Sequence, residues 1–484
     1  MFKIINYRFI LHTLGNVMLF EGIFMLLSIF VSFIYHEDCI AALTESSLIT
    51  IFTGISLIVF TKEAKNEEAS KKDSFLSASL SWIVISLFGA LPFLLTHSVD
   101  NFTNALFESV SGFTTTGSSV INDVESLSHG VLFWRAETHW IGGMGIIVLV
   151  IAILPYYRIG ASHLFSAEGS MMGVEKLKPK VIDTAKRLWA IYMLFTVSET
   201  ILLMAGGMGW FDSVCHSFAT IATGGFSTNN DSLMSSTPYI QYVVIIFMFL
   251  SGANFSLHYF VLNRNFNKVF SNEEFKTYTG IILIVALIIS IGNSHFYNST
   301  GSSVRHSLFQ VVSIITATGF SSDDYTLWPK ISIQLIFLLM FVGASVGSTG
   351  GGIKIARHLI VIKAIMYQFK CLVNPNAINV VRYNNAVVET STITSVLAFI
   401  LLYGLTFLTG SLFMAAIGTD PRTACSSVIT TLGGIGPGLG DVGPASTFFS
   451  LPVAGKLYLC INMIAGRLEI IPFFIIFSRN FYKA

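Results

Sequence analysis

Thr114-Thr115-Thr116-Gly117 is the stretch whose reading decides the fold. Tracts of the same kind return as Ala222-Thr223-Gly224-Gly225-Phe226, Ala317-Thr318-Gly319-Phe320 and Gly433-Gly434-Ile435-Gly436-Pro437, so one chain carries four short Thr/Gly turns. Anchored on Gly117, Gly224, Gly319 and Gly436, the copies align without gaps. Ten positions upstream stand Phe107, Val214, Phe309 and Ser426, and six upstream stand Ser111, Phe218, Ser313 and Thr430. A helix-start signal precedes each tract: Asn104, then Asp212, then Ser302-Ser303, then Thr419-Asp420-Pro421 with proline suited to the first helical position. Each unit reads as a short helix closed by a glycine turn. The anchors lie about a hundred residues apart, far beyond a solenoid period, so these are repeated domains.

The surrounding composition says what solvent those domains occupy. Of 484 residues, 53% are hydrophobic and only 11% charged, against roughly a quarter charged in a soluble domain. The chain is an all-α polytopic membrane protein. Its net charge of +1 gives no basic patch, and nucleic acid is excluded as a partner. The five cysteines, Cys39, Cys215, Cys371, Cys425 and Cys460, are scattered, odd in number and without a CxxC pair, which supports neither a disulfide framework nor a zinc site.

Two spans come first, 16–35 and 40–61; the first is of spanning length, about 20 residues, and reads as an uncleaved helix rather than a signal peptide. The charged segment Lys62–Asp73 is a loop. From Phe75 the pattern becomes span, tract, span: 75–97 and 131–154, 187–206 and 238–262, 277–292 and 331–366, 390–417 and 450–478. The expected division is a two-helix leading domain over 1–73, then four helix–pore-loop–helix repeats over 74–180, 181–270, 271–385 and 386–484. With the N-terminus in the cytoplasm, most of the 28 Lys and Arg fall on inside segments, as the positive-inside rule requires. Both termini are then cytoplasmic, all four tracts enter from outside, and the parallel repeats surround a pseudo-fourfold pore.

Non-helical backbone survives at membrane depth only when it is buried or lines a watery cavity. Four symmetric turns point to one shared cavity, where carbonyls replace an ion's hydration shell and the C-terminal ends of the preceding helices favour cations. The filter residues on this reading are Thr115, Thr116 and Gly117; Ala222, Thr223 and Gly224; Ala317, Thr318 and Gly319; and Ile435 and Gly436, with Ile435 in the place of Thr116, Thr223 and Thr318. The span 331–366 is too long for one crossing, and its middle holds Gly343, Gly347, Ser348, Thr349, Gly350, Gly351 and Gly352. Such a run will not hold a helix, and none of the other repeats has it. It reads as an intramembrane gate, the only broken helix. Arg467 lies in the last span, where it either repels cations, or binds the carbonyls of this run and holds it shut, or pairs with an acid such as Glu469. Lys354 is expected to reach the cytoplasmic interface by snorkelling. Glu108, Glu137, His139, Glu199 and His216 show no metal-ligand spacing or catalytic order, so no enzyme activity and no cofactor are expected.

These motifs, with Trp140-Ile141-Gly142-Gly143-Met144-Gly145, Gly350-Gly351-Gly352-Ile353-Lys354 and Gly466-Arg467-Leu468-Glu469, resemble end to end the TrkH family, the membrane subunits of bacterial Trk potassium uptake systems in the Trk/Ktr/HKT superfamily. Two leading spans absent from KtrB subunits are included in the likeness. The resemblance implies uptake of potassium and rubidium as transported substrates across the bacterial inner membrane. It also implies filter glycines at Gly117, Gly224, Gly319 and Gly436, a gating loop blocked by Arg467, a homodimer, and a cytoplasmic nucleotide-binding regulator of the TrkA type. One departure is Gly433-Gly434, where the family often has two asparagines. The alternative is a proton- or sodium-coupled potassium symporter with alternating access, which would call for inverted repeats.

Overall fold

The computed structural model describes residues 5–62, 70–145, 181–374 and 380–482. Among these residues the regular secondary structure is helical, apart from a small hairpin that pairs Arg382–Tyr383 with Ala386–Val387. Two helices lead, Tyr7–Ile34 and Ile40–Phe60. The first starts well before its apolar run because the Asn6 side chain caps it, accepting from the Phe9 N–H at 3.0 Å. The pair packs through small residues: a Cβ on Gly54 would lie 2.8 Å from the backbone nitrogen of Leu19. Close backbone approach of this kind is how helices associate where no hydrophobic drive separates protein from lipid.

Two contacts define the faces of the bundle. The Asn6 N–H donates to Asp73 at 2.9 Å, so the chain start lies beside the start of the third helix, Lys71–Gly89. At the opposite face Glu37, in the turn between the leading helices, accepts from the backbone N–H groups of His129 and Gly130.

Each repeat then contributes four parts. The first helices are Lys71–Gly89 with Leu91–Leu95, Val181–Ala205, Glu273–Gly292 and Thr390–Ala416. The short pore helices are Phe102–Phe113, Trp210–Ile221, Thr300–Ile315 and Pro421–Gly433. A strand of non-helical backbone follows each, and the return helices start at His129, Pro238, Lys330 and Val453. By length and composition six described helices can cross a membrane, or seven if a bent pair is one span. The part of the 131–154 span beyond Gly145 lies outside the described residues, as do Lys3, Lys65, Arg158, Lys176, Lys178, Lys180 and Lys483.

Three pore helices begin three residues earlier than their polar signals suggest. The caps are Asn101, Gly209 and Ser299, while Asp420 with Pro421 starts the fourth as expected. In the first and third helices, the residue read as the cap is the one whose N–H the true cap satisfies: Asn104 donates to Asn101 at 2.9 Å and Ser302 to Ser299 at 3.1 Å. Asp212 likewise sits in the first turn of its helix.

A second correction concerns the return helices, because the third is not alone in breaking. The second bends by 104° and resumes as Phe255–Leu262. The fourth is interrupted at Glu469 and Ile470, whose φ values are +60° and +47°. The third stops at Leu339 and resumes at Ile355.

Candidate functional site

The four strands have one conformation. After each pore helix the backbone turns left-handed at Thr115, Thr223, Ala317 and Gly434, with φ of +55°, +54°, +59° and +66°. It does so again two residues later at Gly117, Gly225, Gly319 and Gly436, with φ of +79°, +81°, +84° and +93°. Between them Thr116, Gly224, Thr318 and Ile435 donate their N–H back to Ser111, Ala219, Ser313 and Thr430, at 2.9, 2.8, 2.9 and 2.8 Å. Alternating hand turns successive carbonyls the same way, and three non-glycine residues carry about 1–3 kcal/mol of strain each to hold it.

This geometry corrects the register of the second strand. Gly225, not Gly224, matches Gly117, Gly319 and Gly436, and the residue in the place of Thr116 and Thr318 is Gly224 rather than Thr223. The Gly224-Gly225 doublet made the choice degenerate from spacing alone. The following residues carried the missing signal, since Gly225-Phe226-Ser227 repeats as Gly319-Phe320-Ser321.

The strands close into a ring. A Cβ on Gly117 would lie 2.1 Å from the Gly224 carbonyl oxygen, on Gly225 2.0 Å from that of Thr318, on Gly319 2.0 Å from that of Ile435, and on Gly436 2.7 Å from that of Thr116. Each glycine is thus pressed against the neighbouring repeat's carbonyl, in the order one, two, three, four and back to one. Only residues without a side chain permit this approach. A polar cavity of about 110 Å³ adjoins the ring and is lined by Gly117, Gly225, Gly319 and Pro437, one from each strand.

Below the ring lies the loop between Leu339 and Ile355. Gly350 would meet the Thr316 carbonyl at 2.5 Å and Gly351 the Gly433 carbonyl at 2.1 Å if either carried a Cβ. The Thr349 hydroxyl donates to the Ile221 carbonyl at 3.1 Å. Arg467 donates to the Thr115 hydroxyl at 3.1 Å, to the Thr349 carbonyl at 3.0 Å, and to the carbonyls of Gly142 and Gly143. Loop and arginine together touch the C-terminal end of every pore helix. Those four ends carry partial negative charge, and a fixed guanidinium sits among them.

The loop's flanks are pinned from one side. Glu274 accepts from the N–H groups of Val346 and Ala356 through a single oxygen, at 2.7 and 3.2 Å, while its other oxygen takes the Tyr383 hydroxyl at 3.2 Å. Gly343 donates to Ile353 at 2.9 Å across the neck. Lys354 is buried and donates to the Gly350 carbonyl, so it folds back into its own loop instead of snorkelling. Glu469 pairs with Arg357, not with Arg467.

Comparison with known proteins agrees with this architecture. Residues 40–483 match the family profile described as TrkH, cation transport protein. The chain belongs to the TrkH family. It is 36% identical over 473 residues to the Trk system potassium uptake protein TrkH of Escherichia coli K12, covering 96% of this chain and 97% of that one. The TrkH of Halomonas elongata is 35% identical over 484 residues, covering 98% and 99%. The crystal structure of the potassium transporter TrkH from Vibrio parahaemolyticus superposes with a TM-score of 0.89 at 31% identity, covering 99% of this chain and 100% of that one.

In this TrkH-family chain the sequence reading left two structural charges without a role. Glu108, on the first pore helix, takes the Arg135 Nε at 2.6 Å, the Val120 N–H at 3.0 Å and the Ser119 hydroxyl at 3.0 Å. Arg135 also donates to the Ser227 carbonyl at 2.8 Å and lies 3.6 Å over the Phe226 ring. One buried pair therefore ties the first strand to the second. Among the described residues no group of three His, Cys, Asp or Glu side chains is arranged to hold a metal ion.

Proposed function

We propose that this TrkH-family chain takes up potassium, and rubidium with it, across the bacterial inner membrane through the four-stranded ring, with the Gly343–Gly352 loop and Arg467 as the gate. The ring of glycines pressed on neighbouring carbonyls is the observation that carries the reading, because it concentrates main-chain oxygens of one position from four repeats around a common centre. The five-part division, with a two-helix leader and four repeats, is adopted with it. The face holding the chain start carries Lys62, Arg187, Lys276, Lys363 and Lys370 and is assigned to the cytoplasm. A homodimer and a TrkA-type regulator acting from that face complete the proposal.

A membrane potential suffices as the driving force. About 2.3 kcal/mol per charge per 100 mV, against about 1.4 kcal/mol per tenfold gradient, supports roughly 1.7 decades of accumulation without a coupled ion.

Rubidium uptake into liposomes tests the proposal, with Gly319→Ser alongside. The left-handed φ at Gly319 and the Ile435 carbonyl 2.0 Å from any Cβ predict loss of uptake in the variant. Equal flux from variant and parent, or equal rubidium and sodium permeation in the parent, would remove the filter assignment.

A further inference from the structure

The second strand has glycine where the others have Thr116, Thr318 and Ile435, yet its backbone does not call for one. Left-handed φ falls at Thr223 and Gly225, on either side of Gly224, and not at Gly224 itself. Its N–H bond to Ala219 is the one that Thr116 and Thr318 make with their own helices. The side chain is excluded from outside the strand: a Cβ on Gly224 would lie 2.4 Å from Cγ and 2.7 Å from Nδ1 of His139.

His139 comes from the first repeat's return helix and is held in place. Its Nδ1 is 2.7 Å from the Gly112 carbonyl, which can only accept, so Nδ1 carries the proton. Nε2 has no hydrogen-bond partner among the described residues. The ring packs 4.0 Å from the Phe226 ring. One turn away on either side, the same helix face brings Arg135 to Ser227 and Gly143 to Ala222, where a Cβ on Gly143 would meet the Ala222 Cα at 2.7 Å. Positions 135, 139 and 143 form one stripe, and it runs along the second strand from end to end.

We propose that His139 is a positioning residue of the filter: its imidazole occupies the place of the side chain that the second strand lacks, holds the Gly224 carbonyl at the ring, and so sets ion discrimination. The inference rests on the filter reading above. It makes the glycine and the imidazole two halves of one part, with the side chain moved from the strand to the neighbouring repeat.

Exchanging the halves tests it. Gly224→Thr alone forces a Thr side chain into the imidazole, and His139→Ala alone leaves the strand unsupported. Each should lower the preference for rubidium over sodium in liposome flux by about tenfold, whereas Gly224→Thr with His139→Ala should recover most of it, since contacting residues couple. His139→Phe, which keeps a ring but not the bond to Gly112, should keep more discrimination than His139→Ala. A double variant no more selective than Gly224→Thr, or one that fails to fold where the parent folds, overturns the proposal. Absent discrimination in the parent would instead overturn the filter reading, so the two failures are distinct.

Discussion

Arg135 and Glu108 are almost wholly inaccessible, at 4% and 0% side-chain exposure. Removing one member of such a pair leaves the other charged or forces it neutral without solvent, at a cost of about 3–5 kcal/mol. Arg135→Ala is therefore expected to lower the unfolding temperature of the purified protein and to abolish selective rubidium uptake, while Arg135→Ala with Glu108→Ala unfolds closer to the parent. A double variant as unstable as the single one would show that the pairing is not what matters. The sequence displayed both charges in apolar surroundings but not their union, because residues 108 and 135 meet only after pore helix and return helix pack. Gly117, Gly319 and Gly436 were legible for the opposite reason: a residue chosen for left-handed φ and close approach announces itself locally. Gly224 fits neither case, since its requirement comes from a side chain of another repeat.

At the level of elements, the interrupted return helices divide by what breaks them. The third announces its interruption through five glycines between Gly343 and Gly352. The second breaks at Ser251-Gly252-Ala253-Asn254, a shorter signal, and its bend is set by one local and one tertiary bond: the Asn254 side chain caps the Ser256 N–H at 2.8 Å, and the Phe255 N–H donates to the Gly347 carbonyl at 3.0 Å. That bend thus belongs to the loop as much as to its own helix. Glu274, reaching the loop from the helix Glu273–Gly292, is the single acceptor shared by both flanks. Glu274→Ala is expected to raise basal rubidium flux while leaving rubidium-to-sodium preference unchanged, because the ring itself is not touched. Arg467→Ala should raise basal flux too. Flux measured without any regulator checks both, and unchanged basal values would reduce loop and arginine to packing.

For the whole molecule, the cyclic contact order of the strands separates two modes of transport. Parallel repeats around one ring offer a continuous path, and reconstitution in a planar bilayer is expected to give discrete current steps of fixed size. Smooth, carrier-like current with no resolvable openings would favour the coupled symporter. Interrupted helices are also a mark of carriers with alternating access, so breaks in the second, third and fourth return helices do not separate the two modes, and the ring decides.

Fusing the four quarters into one polypeptide has a consequence that falls on Arg467. A homotetramer would receive any such residue in quadruplicate, and four guanidiniums crowded about one axis would drive each other outward. A single chain can install a solitary bolt, anchored to carbonyls of the first repeat on one flank and of the third repeat's loop on the other. On the proposed gate, the passage need not dilate symmetrically: a push that shifts the third repeat's loop breaks the Thr349 bond and unlatches one flank while the first repeat stays in place.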